Sequence, residues 1–155
     1  MNDGKARDTA EARVTAPPPR PGSSETLNVT EYTRLWLQAG GRGIDCAAGY
    51  FDAARVQRAI ATSGVPRREL FLTSKCPGGG YNKTYSCALQ SLVDFGTDHL
   101  DLLLLHFPDG ASTGADWRAL EAVRAQGKAR AIGVSNFGRA DMAALLQVCR
   151  CLSLA

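Results

Sequence analysis

Leu100–Gly110 reads LDLLLLHFPDG, and its reading decides the fold. Leu102–Leu105 give four consecutive leucines, too short for a membrane span and without the three-to-four spacing of an amphipathic helix. A continuous apolar run of this length bounded by turn residues fits a buried strand in a parallel sheet covered on a face by helices. His106 closes the run, with Phe107 and Pro108 behind it. A titratable ring at the end of a buried strand calls for an explanation beyond packing.

Outward from that strand the chain alternates. GIDCAAGY is a short buried strand running into a loop, and AARVQRAIATSG is a helix ending at Gly64. ELFLTSK is a strand, KTYSCALQSLVDFG a helix stopped by Gly96, and HLDLLLLH the strand already described. DWRALEAVRAQG is a helix with Asp116 as its N-cap, ARAIGVSN a strand, and RADMAALLQVCRCL a closing helix. Upstream, LNVTEYTRLWLQAG sets Tyr32, Leu35 and Trp36 at helical spacing before Gly40. About four strand–helix units with short connections predict an α/β fold, a parallel sheet with crossover helices packed on it. Residues 1–25, ending in TAPPPRPGSSE, carry no hydrophobic period and read as a disordered Pro-rich leader; residues 26–155 form the domain.

Composition bounds the function classes. The chain has 155 residues, 45 % hydrophobic and 21 % charged, with a formal charge of +3 and no basic stripe, so nucleic acid is not expected as a partner, nor is a membrane. The N-terminus lacks a signal peptide's apolar core, and cytoplasm is the expected compartment. Cys46, Cys76, Cys87, Cys149 and Cys151 are odd in number and lack paired CxxC spacing; they read as free thiols in a reducing compartment, with no metal site.

The strand ends explain His106. Asp45, Lys75, His106, and Ser135 with Asn136 each close a strand at its C-terminal edge, where ligands bind in parallel α/β proteins. Tyr50 lies five residues after Asp45 in the following loop. A tyrosine hydroxyl ordinarily loses its proton near pH ~10. A neighbouring ammonium favours the phenolate and makes such a hydroxyl a better acid. Lys75 can supply the ammonium, Asp45 can hold it, and His106 can orient a substrate oxygen. The set suits protonating an oxygen while another group delivers a hydride. Ser135 and Asn136 offer a hydroxyl and an amide to a nicotinamide carboxamide.

These residues resemble the aldo/keto reductase family from about Leu35 to Gln147, a little over two thirds of the chain. GGRGIDCAAGYFDAARVQ resembles the family's Gly-x-Arg-x-Ile-Asp-Thr-Ala-x-x-Tyr signature, and FLTSK its lysine-bearing strand. SLVDFGTDHLDLLLLHFP resembles the segment ending in His-x-Pro, and WRALEAVRAQGKARAIGVSNF the Gly-Lys…Ile-Gly-Val-Ser-Asn-Phe block. The resemblance implies a (β/α)8 TIM barrel and NADPH-dependent reduction of an aldehyde or ketone to an alcohol, with NADH left open as cofactor. It implies Tyr50 as proton donor, Lys75 and Asp45 as its tuning pair, His106 as the orienting group, and Ser135 and Asn136 as nicotinamide contacts. Cys46 stands where the family has Thr, and Asp52–Ala53 where Asn-Glu is usual.

A complete barrel takes roughly 250 residues. The chain therefore reads as a truncated, partial barrel, and its open sheet edges are expected to favour self-association. A catalytically inactive binding or regulatory module, like the reductase-like subunits of potassium channels, is the second reading. A product without a stable fold is the third. Asp101 reads as structural, bonding backbone near its strand's start, and Arg130 as a solvated charge.

Overall fold

A computed structural model describes residues 28–50 and 52–149 together with a two-residue strand at Ala12–Arg13. Five parallel strands lie in sequence order, β1 (Ala12–Arg13), β2 (Gly43–Asp45), β3 (Phe71–Cys76), β4 (Leu100–Leu105) and β5 (Ala129–Val134). Each is followed by a helix: α1 (Val29–Gln38), α2 (Ala53–Ser63), α3 (Tyr81–Phe95), α4 (Thr113–Ala125) and α5 (Arg139–Val148). This is the expected repeating strand–helix unit. Two residues of the segment read as a leader pair with β2 as β1, through Ala12 opposite Ile44 and Arg13 opposite Asp45. The remainder of residues 1–25, and Cys151, lie outside the described residues.

The register shows why the leucine run is continuous. Thr73 pairs with Leu102 and Lys75 with Leu104, while Ser74 pairs with Leu103 and Cys76 with Leu105. Alternate residues face opposite sides of a sheet. Leu103 and Leu105 face the helices and are fully buried, with Ile44, Leu72, Val56, Leu120 and Val123 in the same core. Leu102 and Leu104 face the other side and are half-buried. The helices thus cover one face of the sheet. Among the described residues β5 pairs with β4 alone, so its outer edge is open.

Local chemistry sets the element ends. The Asn28 side chain accepts the Glu31 N–H at 3.2 Å and caps α1. Past its other end, Gly41 lies directly against the Trp36 ring, where a Cβ would collide, and the Trp36 indole N–H donates to the Gly43 carbonyl at 3.1 Å. This close approach turns the chain from α1 into β2.

Asp101 accepts the Leu72 N–H at 2.9 Å, and its two oxygens also meet Arg67 at 2.7 Å and Arg130 at 3.0 Å. Its backbone-bonding role is as expected. Arg130, read as a solvated charge, is instead paired, although 60 % of its side chain remains exposed.

Two expectations are corrected here. Asp116 does not cap its own helix, which begins at Thr113. Buried inside the first turn of α4, it reaches across to α3 and accepts the Gly80 N–H at 2.7 Å and the Thr84 hydroxyl at 2.6 Å. A cap supplied by a neighbouring helix leaves no local sequence signal. Asp116→Ala strips a cap and orphans a buried hydroxyl, and should lower stability by about 2 kcal/mol in a urea titration.

The second correction concerns sulfur. Cys76 and Cys87, read as free thiols, form a disulfide between β3 and α3 with Cα atoms 5.9 Å apart. A spacing of 11 residues carries no recognisable motif; the strand–helix packing brings the pair together. Cys46 and Cys149 are free. No described helix is long and apolar enough to cross a membrane.

Candidate active site

The strand ends converge. Asp45 is the last residue of β2, and Tyr50 sits in a single helical turn, Ala48–Tyr50, immediately after it. Lys75 is the penultimate residue of β3, and register carries it beside β4 two residues before His106. Four residues distant in sequence therefore meet at the C-terminal edge of the sheet.

Lys75 is central to the cluster. Its ammonium forms an ion pair with Asp45 Oδ1 and also donates to the Cys46 carbonyl at 3.3 Å. The two side chains are only 7 % and 13 % exposed, so the pair is shielded from solvent. The Lys75 ammonium lies 5.6 Å from the centre of the Tyr50 ring. Tyr50 meets the His106 ring edge to face, with centroids 5.7 Å apart and planes at 80°. The expected set of Tyr50, Lys75, Asp45 and His106 thus stands in one place.

Backbone bonds position the imidazole. The His106 N–H donates to the Cys76 carbonyl at 2.8 Å, and the His106 carbonyl accepts the Asn136 amide at 2.7 Å. Phe107 stacks on the ring, with centroids 4.4 Å apart and planes at 18°. The sequence reading took Phe107 only as a strand terminator; its ring limits how His106 can rotate.

Burial lowers the His106 imidazole's affinity for a proton, the Lys75 charge lowers it further, and Asp45 opposes both. The neutral form of the ring is thereby favoured, and it carries one N–H donor. Because the folded state takes up its proton later than the unfolded chain, this group lowers stability only as pH falls below the ordinary 6.5. A proton NMR titration should place its midpoint below 6.5. In the Lys75→Met/Asp45→Asn double variant the midpoint should rise part of the way back, since burial, the larger cause, remains.

Ser135 and Asn136 follow β5. The Ser135 N–H donates to the Leu105 carbonyl at 2.8 Å, extending the β4–β5 ladder to the rim. Asn136 is held at φ 62°, the left-handed region that Asn tolerates better than most residues. Its amide nitrogen donates both to the His106 carbonyl and to Ser135 Oγ, at 3.1 Å for the latter. These two residues join the cluster through the His106 backbone.

Cys46, beside the ion pair, is buried, and its thiol is pushed up to about 12, first by desolvation and then by the Asp45 carboxylate. It is an inert neighbour. Asp52 begins α2 with its side chain 9 % exposed and paired to Arg55 at 3.1 Å, so this departure from the family signature holds its own turn of helix.

The aldo/keto reductase family profile matches residues 20–153. The chain belongs to the aldo/keto reductase family.

Among relatives, glyoxal reductase of Bacillus subtilis (strain 168) is 44 % identical over 110 residues, covering 70 % of this chain and 40 % of that protein. The 9,11-endoperoxide prostaglandin H2 reductase of Trypanosoma cruzi (strain CL Brener) is 36 % identical over 129 residues, covering 82 % and 44 %. A solved Bombyx mori aldo-keto reductase in complex with NADP superposes with a TM-score of 0.76 at 31 % identity, covering 83 % of this chain and 47 % of that one. The chain spans less than half the length of these three. Its sheet and helices are accordingly part of the barrel of an aldo/keto reductase.

Proposed function

We propose that this chain carries the proton-transfer side of an NADPH-dependent reductase that converts an aldehyde or ketone to an alcohol. One observation carries the reading: a shielded Lys75–Asp45 ion pair stands beside Tyr50, with His106 against the same ring. An ammonium there favours the phenolate that Tyr50 becomes when it gives its proton to the carbonyl oxygen. Asp45 keeps that ammonium in place. The neutral His106 donates its N–H to the same oxygen and orients the carbonyl group.

The donor set also suits a nicotinamide. Both amide hydrogens of Asn136 are engaged with His106 and Ser135 Oγ, which leaves its carbonyl as an acceptor and the Ser135 hydroxyl as a donor. A carboxamide needs one of each. Bound there, the cofactor supplies hydride to the carbonyl carbon. The substrate is a small carbonyl compound and the setting cytoplasmic. The open edge of β5 is where a second copy would pair.

The test is NADPH binding by fluorescence, then loss of NADPH absorbance with an aromatic aldehyde, with NADH run in parallel. Binding and turnover are expected. Binding without turnover by a cooperatively folding chain would favour the inactive module instead.

A further inference from the structure

The disulfide sits at a sensitive place. Cys76 directly follows Lys75 on β3 and is wholly buried, and its carbonyl accepts the His106 N–H at 2.8 Å. One residue therefore adjoins the lysine through the chain and anchors the histidine's backbone.

The helix-facing side of β3 is tied to α3 at two levels. Ser74 and Ser91 share a hydroxyl hydrogen bond at 3.0 Å, and Cys76 and Cys87 share the disulfide. Ser74 and Cys76 are alternate strand residues on one face; Cys87 and Ser91 are one helical turn apart on one helix side. The two ties are thus neighbouring rungs, and only the one nearer the active site can be opened by a reductant. Below it the serine bond and the core that includes Leu72, Leu92 and Phe95 remain.

We propose that Cys76 is a redox-responsive positioning residue, whose disulfide to Cys87 holds the end of β3 where Lys75 and His106 are set. The reductant is a dithiol. One of its thiolates attacks the sulfur of Cys87, the half-buried partner, the S–S bond breaks, and Cys76 leaves as a thiolate that takes up a proton. The second thiol of the reductant then displaces Cys87, which is protonated in turn, and the reductant closes to its own disulfide. The protein gains two electrons and two protons, and an alkyl or peptide disulfide reverses the exchange. In a cytoplasm, where disulfides are mostly transient and redox-sensing, such a pair would cycle. The catalytic meaning rests on the reductase reading; the mechanical hold on the strand end does not.

The experiment uses the full chain, oxidised with glutathione disulfide and reduced with dithiothreitol. Mass spectrometry after alkylation should find Cys76 and Cys87 blocked in the first state and both labelled in the second. On reduction, amide hydrogen exchange should rise at least about tenfold at Lys75, Cys76 and His106, while Leu72 and Thr73 keep their protection. Reductase turnover should fall with little change in KM for NADPH. Cys87→Ser should match the reduced protein and be insensitive to redox state. Both cysteines labelled in the oxidised sample would overturn the proposal. So would exchange that is unchanged, or that rises equally along the whole of β3, the mark of a merely structural bond. No turnover in either state, with exchange still changing at the three positions, would count against the reductase reading and support the redox hold on β3.

Discussion

Tyr50→Phe lowers kcat by about 10²- to 10⁴-fold while NADPH affinity stays within about twofold, because a positioned general acid supplies an effect of that size and the phenol alone is removed. The ring itself is retained, and with it the edge-to-face contact with His106 and the neighbourhood of the Lys75 ammonium. Folding is therefore preserved, and the thermal midpoint should not move. The measurement is steady-state NADPH consumption against a small aldehyde, with cofactor binding followed separately. A variant that keeps a tenth or more of wild-type kcat would remove Tyr50 from the role of proton donor. His106 would then be the remaining candidate among the clustered groups.

Lys75→Met should have the largest effect on stability. The ion pair it forms with Asp45 is shielded, and removing one partner leaves the other charge without compensation, a loss of about 3–5 kcal/mol. Against a domain stability of about 5–15 kcal/mol, this brings the chain close to unfolding at ordinary temperature. Asp45→Asn in the same chain removes the stranded charge, so the double variant should regain most of the loss. Urea unfolding of wild type, both single variants and the double variant measures the coupling directly. The double variant should remain inactive, since stability returns but the ammonium beside Tyr50 does not. Additive single effects would mean that the two side chains do not share their energy, and would undo the account of the site's electrostatics.

Several features are legible in the sequence alone. The run Leu102–Leu105 announced a strand, and punctuation by Gly64 and Gly96 placed two helix ends where the structure has left-handed caps. The recurrence of a polar residue at each strand end placed Asp45, Lys75, His106, Ser135 and Asn136 at one rim, because a parallel sheet points every such end the same way. Helix starts were less legible. α3 and α4 begin two and four residues earlier than their sequence patterns suggest, in part because Asp116 caps one helix from the first turn of the other.

Periodicity, turn residues and strand-end chemistry are local or repeating signals, and by themselves they determined the α/β class, the order of the elements from α1 onward and the identities at the rim. Contacts between residues of unrelated sequence spacing carry no such signal. The Cys76–Cys87 bond and the cap from Asp116 depend on how deeply the helices settle against the sheet and each other, and the pairing of Arg130 with Asp101 depends on the β4–β5 register. Only the tertiary structure decided them, since packing sets distances that spacing along the chain leaves free.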